Sequence, residues 1–254
     1  MAETRAEELV GLAAQLGLAV DLGEARQFER FEGLLLAGNQ GTNLTRIVDH
    51  REVLIKHFID SLTCFTALTF PPGARVVDVG SGGGFPGIPV KIHRPDLAVS
   101  LLESNRKRCD FLRGAVRQLG LEGIEVLEGR AEDLGHRRPW REGFDIALAR
   151  AVAHLAVLAE ICLPLVKIGG WMVALKGAGG EREVAEAERA MAIAGGRLVR
   201  TVRLGLPEGA GERIIAIVEK VSGTPERLPR RAGIPQKRPL GISLEGRSSS
   251  EGPG

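Results

Sequence analysis

The run Val76-Val77-Asp78-Val79-Gly80-Ser81-Gly82-Gly83-Gly84-Phe85-Pro86-Gly87 limits the possible folds more than any other stretch of this chain. A short β-branched segment ends there in a glycine-rich turn, and helix-length sequence follows. Glycine reaches positive φ at little steric cost and lets another group approach the backbone closely. A strand–turn–helix unit of this kind belongs at the carboxyl edge of an open sheet, where ligands of doubly wound folds bind.

The flanking pattern agrees. Strand-like runs at Arg75–Val79, Ala98–Glu103, Ile124–Glu128, Phe144–Leu148 and Trp171–Lys176 alternate with helix-length segments near 86–93, 105–119, 152–166 and 181–194. Such alternation predicts a mostly parallel sheet covered on both faces. The last two runs, Arg197–Leu206 and Glu212–Val221, are joined by Pro207-Glu208-Gly209-Ala210-Gly211, which is too short for a crossover helix. They predict an antiparallel pair at one edge. Upstream, Leu9, Leu12, Ala13 and Leu16, then Phe28, Phe31 and Leu35, recur at helical spacing. Asp49 with Glu52 three residues on reads as a helix start, continued through Val53–Leu62. The expected fold is therefore α/β and Rossmann-like: a mostly parallel seven-stranded sheet with an antiparallel C-terminal strand pair and N-terminal helices. The expected layout is a helical region over 1–66, a sheet domain over 67–222 and a basic tail over 223–254, with 248–254 disordered.

Composition narrows the function. The chain has 254 residues, 44% of them apolar, enough for one α/β core with an appendage. Net charge is only +2, but residues 222–254 hold six basic against three acidic side chains, and Arg227–Leu240 is basic and free of acids. Cys64, Cys109 and Cys162 have no zinc or CxxC spacing, so reduced thiols and no metal are expected. Met1–Val20 carries Glu3, Glu7 and Glu8 and lacks a signal-peptide pattern, and no apolar run approaches a membrane span. A cytoplasmic protein away from membranes is expected, with a monomer as the default.

Gly82, Gly84 and Gly87 fit GxGxxG, so a dinucleotide has to be weighed. Asp78 argues against it. A carboxylate at the strand end would repel a pyrophosphate, whereas it suits a ligand carrying an ammonium and a sulfonium, as S-adenosylmethionine does. Glu103 ends the second strand, 25 residues after Asp78, where a carboxylate can accept ribose hydroxyls. Glu128-Gly129-Arg130-Ala131-Glu132 ends the third, where backbone and acid can meet a base edge. The blander alternative makes the glycines structural turns and Asp78 a helix cap. In the helix after Glu103, Arg106, Arg113 and Arg117 share one face and Leu112, Ala115, Val116 and Leu119 the other, an ordinary solvated amphipathic pattern. His57 and His154 lie beside apolar helix faces, where a structural role is the commoner one.

The run Asp78–Pro89, with Phe-Pro-Gly directly after the glycines, resembles the cofactor loop of the bacterial small-subunit ribosomal RNA guanine-N7 methyltransferases, a family formerly called glucose-inhibited division protein B. Further blocks agree in the same order: Asn43-Leu44-Thr45, Lys56–Leu62, Glu103-Ser104 with Lys107-Arg108, Gly129–Glu132, Ala149–Ala153, Lys176-Gly177 and Pro229–Pro235. The likeness spans roughly residues 30–240. The chain departs from it in having no tyrosine, with Leu228 where relatives often carry an aromatic.

The resemblance implies the class I S-adenosylmethionine methyltransferase fold and methyl transfer to N7 of one guanine of 16S rRNA in the small ribosomal subunit. Guanine N7 bears a lone pair and no proton, so no catalytic base is assigned. The expected cofactor contacts are Asp78, Gly80, Gly82, Gly84, Phe85, Glu103, Ser104, Asn105, Ala131, Glu132 and Arg150. The RNA candidates are Asn43, His57, Arg150, Lys176, Arg230, Arg231, Lys237 and Arg238. Rival readings are a same-fold methyltransferase acting on protein or a small molecule, a non-catalytic RNA-binding assembly factor, and an NAD-dependent oxidoreductase.

Overall fold

A computed structural model describes residues 4–150 and 153–242 of the chain. The tail end expected to be disordered, 248–254, lies outside the described residues.

Two N-terminal helices, α1 (Arg5–Ala14) and α2 (Leu22–Asn39), each begin with a reciprocal cap. Thr4 pairs with Glu7 and Asp21 with Glu24, so each side chain satisfies a backbone N–H that the helix itself leaves free. Asp49 starts α3 (His50–Val53), its carboxylate accepting the Glu52 N–H at 3.0 Å. The expected continuation of that helix takes a different form. Leu54–Ile59 is a π-helix, followed by the short α4 (Asp60–Leu62) and α5 (Cys64–Ala67). The widened turn loosens the local hydrogen-bond ladder. Arg150, far along the chain, donates to the carbonyls of Lys56 (3.0 Å) and His57 (3.3 Å) and so satisfies them.

The remainder alternates as expected: β1 (Arg75–Val79), α6 (Gly87–His93), β2 (Ala98–Glu103), α7 (Arg106–Leu119), β3 (Ile124–Glu128), α8 (Ala131–Leu134), β4 (Phe144–Arg150), α9 (Leu155–Cys162), β5 (Val166–Lys176), α10 (Gly180–Ile193), β6 (Gly196–Gly205), β7 (Glu212–Lys220) and a final turn of helix, α11 (Ile234–Lys237). The sheet order is β3-β2-β1-β4-β5-β7-β6. The first five strands in that order pair in parallel, while β7 runs antiparallel to both β5 and β6.

Both faces of the sheet are buried, which explains why the central strands read as continuous apolar runs. Val76 belongs to the core shared with the N-terminal helices, α6 and α7; Val77, one residue on, belongs to the core under α9 and α10. Phe31 on α2 meets Phe85 of the glycine turn with ring centroids 5.4 Å apart, so the helical layer rests directly on the turn. Among the described residues, no helix is long and apolar enough to cross a membrane.

Candidate active site

The glycine turn crosses the carboxyl end of β1 and gives its glycines different duties. Gly84 has φ +100, and a Cβ there would lie 2.6 Å from Ile88 Cδ1. A Cβ on Gly87 would lie 2.3 Å from Leu101 Cδ2 and 2.8 Å from Asp78 Oδ2. These two glycines let the turn and α6 pack against the sheet, whereas a Cβ on Gly82 would meet only the Gly80 carbonyl, at 3.9 Å.

Asp78 sits deeper than the other expected cofactor contacts. Its carboxylate is fully buried beneath the turn and lines neither of the cavities described below. Oδ2 accepts the Gly87 N–H at 2.9 Å, securing the start of α6, as the blander reading had it. Oδ1 is buried without a hydrogen-bond partner. Burial pushes the carboxyl up to about 7, against the lowering effect of the Gly87 hydrogen bond.

Two cavities open at this end of the sheet, and among the described residues Gly80 is the one common to both linings. The first, about 260 Å³, runs past the ends of β2 and β3. Leu102, Val157 and Ile161 make its apolar sides; Glu103, Ser104, Ala131 and Glu132 supply its polar rim. Glu103 is held by two backbone donors, Gly82 N–H to Oε2 (3.0 Å) and Asn105 N–H to Oε1 (2.7 Å). Asn105 itself lies outside this lining: its side chain accepts the Arg108 N–H at 3.2 Å and caps α7.

The second cavity, about 440 Å³, lies between the glycine turn, the π-helix and the ends of β4, β5 and β7. Lys56, Arg150, Lys176 and Arg213 line it against one carboxylate, Asp60. Asp60 bridges two guanidiniums: Oδ1 takes Arg213 Nε at 2.7 Å and Oδ2 takes Arg150 Nη1 at 3.1 Å. Arg150 also sits over the Phe85 ring, 4.9 Å from its centroid, on a favourable cation–π contact.

His57 stacks on the same ring at 4.4 Å and 16°. Arg150 can only donate, so His57 Nδ1 accepts from Arg150 Nη2 (3.3 Å) and Nε2 carries the proton that goes to Thr45 Oγ1 (2.7 Å). Burial, reinforced by the Arg150 charge, lowers the imidazole from 6.5 to about 3. A base whose folded pKa lies below its unfolded one contributes stability that is present above about 6.5 and lost as pH falls toward 3. We therefore expect wild type to lose stability relative to His57→Gln by roughly 1.4 kcal/mol per pH unit below that point. Asp78 acts in the opposite sense in both proteins and cancels in the difference. Urea titrations from pH 7 to 4 measure it, and a constant difference would mean that His57 is not held neutral.

The remaining expected residues divide. Phe85 and Lys176 line the second cavity, but the Lys176 ammonium is tied to the Ala153 carbonyl (2.7 Å) and Glu183 (2.8 Å). Asn43 stands outside that lining and offers its carbonyl to Arg108 at 3.4 Å. His154 caps α9 and pairs with Glu186, a structural role. Arg230, expected to meet RNA, pairs with the buried Glu160 and stays partly exposed. Arg231, Lys237 and Arg238 are exposed and outside both linings. Sequence reasoning missed Lys56, Asp60 and Arg213 at the second cavity and Gly233 and Gln236 at the first. Lys56 and Asp60 lay within a block quoted for the family likeness; Arg213 and Gln236 carried no local signal.

Among solved structures, an S-adenosylmethionine-dependent methyltransferase from Aquifex aeolicus superposes with a TM-score of 0.50 at 19% identity, over 67% of this chain and 94% of that one. Together with the strand order, this defines the class: the chain has the class I fold of S-adenosylmethionine-dependent methyltransferases. Residues 24–210 match the family GidB, rRNA small subunit methyltransferase G. Proteins named ribosomal RNA small subunit methyltransferase G from Pelotomaculum thermopropionicum and Moorella thermoacetica are 46% and 47% identical to it, over 92% and 91% of this chain and 98% and 97% of theirs. The chain belongs to the rRNA small subunit methyltransferase G family and is a methyltransferase.

Proposed function

We propose that this chain transfers the methyl group of S-adenosylmethionine to N7 of one guanine of 16S rRNA in the small ribosomal subunit. One observation carries the reading: an acid-rimmed, apolar-sided cavity and a larger basic cavity meet at Gly80 on the carboxyl edge of the sheet.

The residues present fit the cofactor. Glu103 at the end of β2 and Glu132 after β3 suit a ribose and a base edge between apolar walls. The buried Asp78 carboxyl, with Oδ1 unpartnered, is favoured in its charged form by a cationic ligand above the turn, and that form in turn holds the cation. When bound, S-adenosylmethionine supplies an electrophilic methyl group on a sulfonium.

The chain's own residues do the rest by placement. The cations of the second cavity attract and orient an anionic acceptor, whose phosphates they can meet. An RNA base enters such a site unstacked. His57 is not free to take a proton, since both of its ring nitrogens are engaged, and N7 has none to give. Holding the lone pair in line with the methyl carbon is the catalytic task, worth about 7–11 kcal/mol of barrier when alignment is good.

The test is incubation with labelled S-adenosylmethionine and small subunits that lack the modification, followed by mapping of the labelled nucleotide. Label on N7 of a single guanine is the expected result. Label in another base, in ribosomal protein, or nowhere would overturn the proposal.

A further inference from the structure

The segment after β7 folds back over the first cavity. Arg141 donates to the carbonyls of Leu228 (2.9 Å) and Thr224 (2.7 Å), His136 Nε2 donates to the Pro229 carbonyl (2.6 Å), and Leu228 is buried in the second core. Arg230 fastens it: its backbone N–H (2.9 Å) and Nε (2.7 Å) both donate to Glu160 Oε1, and Nη2 donates to Oε2. Glu160, on α9, is completely buried, so this guanidinium compensates a charge with no access to water. Beyond the anchor the chain turns at Gly233, with φ +81, and its N–H donates to Glu132 Oε1 at 3.2 Å. Gly233 and Gln236 both line the cavity.

We propose that Leu228–Arg238 forms the outer wall of the cofactor cavity, with Gln236 contacting the nucleoside end and Gly233 steadying Glu132. Arg230 acts through the wall as a positioning residue. An amide sets a donor beside an acceptor, the pattern that an adenine edge answers. The matched family model ends at residue 210, short of this wall, although Pro229–Pro235 is among the blocks that carry the family likeness. The basic composition of the segment thus has a partly internal purpose.

This inference rests on the first cavity taking the nucleoside of the cofactor, and calorimetry with S-adenosylhomocysteine separates the two claims. Gln236→Ala should weaken binding about three- to tenfold, the worth of one neutral hydrogen bond, with its urea midpoint unchanged. Its preference for S-adenosylhomocysteine over the inosine analogue should shrink, which a merely structural residue would not cause. A second variant, Glu160→Leu with Arg230→Leu, removes both charges and keeps the volume filled. In wild type the ligand should slow tryptic cleavage after Arg231 and Lys237; in the double variant that protection should be lost. Wild type that fails to bind the ligand would overturn the reading of the cavity itself. Wild type that binds, with Gln236→Ala equal to it and no protection of the segment, would overturn the wall alone.

Discussion

Asp60→Ala is expected to lower the melting temperature by roughly 6–12 °C and to cut methylation at least tenfold at temperatures where it stays folded, with the affinity for S-adenosylhomocysteine changed far less. The Asp60 carboxylate is 6% exposed and holds two guanidiniums, Arg150 at 11% and Arg213 at 19% exposure. Removing one member of a buried ionic group leaves the other charges uncompensated, at about 3–5 kcal/mol. Arg213 is the most accessible of the three, so the lower end, about 3 kcal/mol, applies. In a chain of this size each kcal/mol shifts the midpoint by about 2–4 °C. Activity suffers separately, because Asp60 fixes Arg150 over the Phe85 ring and at the carbonyls of the π-helix. Cofactor affinity is spared because Asp60 lines only the second cavity. Adding Arg213→Leu to Asp60→Ala should recover part of the lost stability, giving a coupling measurable by a double-mutant cycle. A single variant as stable as wild type would remove the buried triad from the account.

The features that sequence disclosed are those fixed by neighbours along the chain. Val76 and Val77 point to opposite faces because a strand alternates, and both faces are covered, so consecutive residues of β1 are apolar. Glu103 ends a strand whichever way the helices pack, and its place at a cavity followed from that. What stayed hidden depends on partners distant in sequence. The π-helix is completed by Arg150, 94 residues from Lys56, and nothing in Leu54–Ile59 announces a widened turn. Arg230 looks like free positive charge until Glu160, 70 residues away, is found beneath it. Arg213 sits in an edge-region strand where an arginine reads as solvent-facing, yet it turns toward Asp60, 153 residues upstream. Asp78 was located correctly on its strand, but the direction of its carboxylate depends on how the turn closes over it.

Glu103→Ala should weaken S-adenosylhomocysteine binding about ten- to hundredfold, the cost of losing hydrogen bonds to a charged acceptor. Glu103 is 6% exposed, and both oxygens are pinned by backbone donors, so the carboxylate is oriented before any ligand arrives. Little ordering entropy is then left to be lost on binding, which makes each contact count for more. The alanine variant also strips an acceptor from Gly82 and Asn105, so some of its loss will come from a loosened turn. Glu103→Gln separates the two effects. Its single side-chain oxygen can keep one backbone partner while the charge is gone, so turn order is largely retained and binding should fall by an intermediate amount. In steady state both variants should raise KM for S-adenosylmethionine more than they lower kcat, because the second cavity, which we propose aligns the acceptor, is left intact. If the glutamine variant bound as tightly as wild type and the alanine variant lost only stability, Glu103 would be a brace for the glycine turn and the ribose would have to be held by other groups of the first cavity.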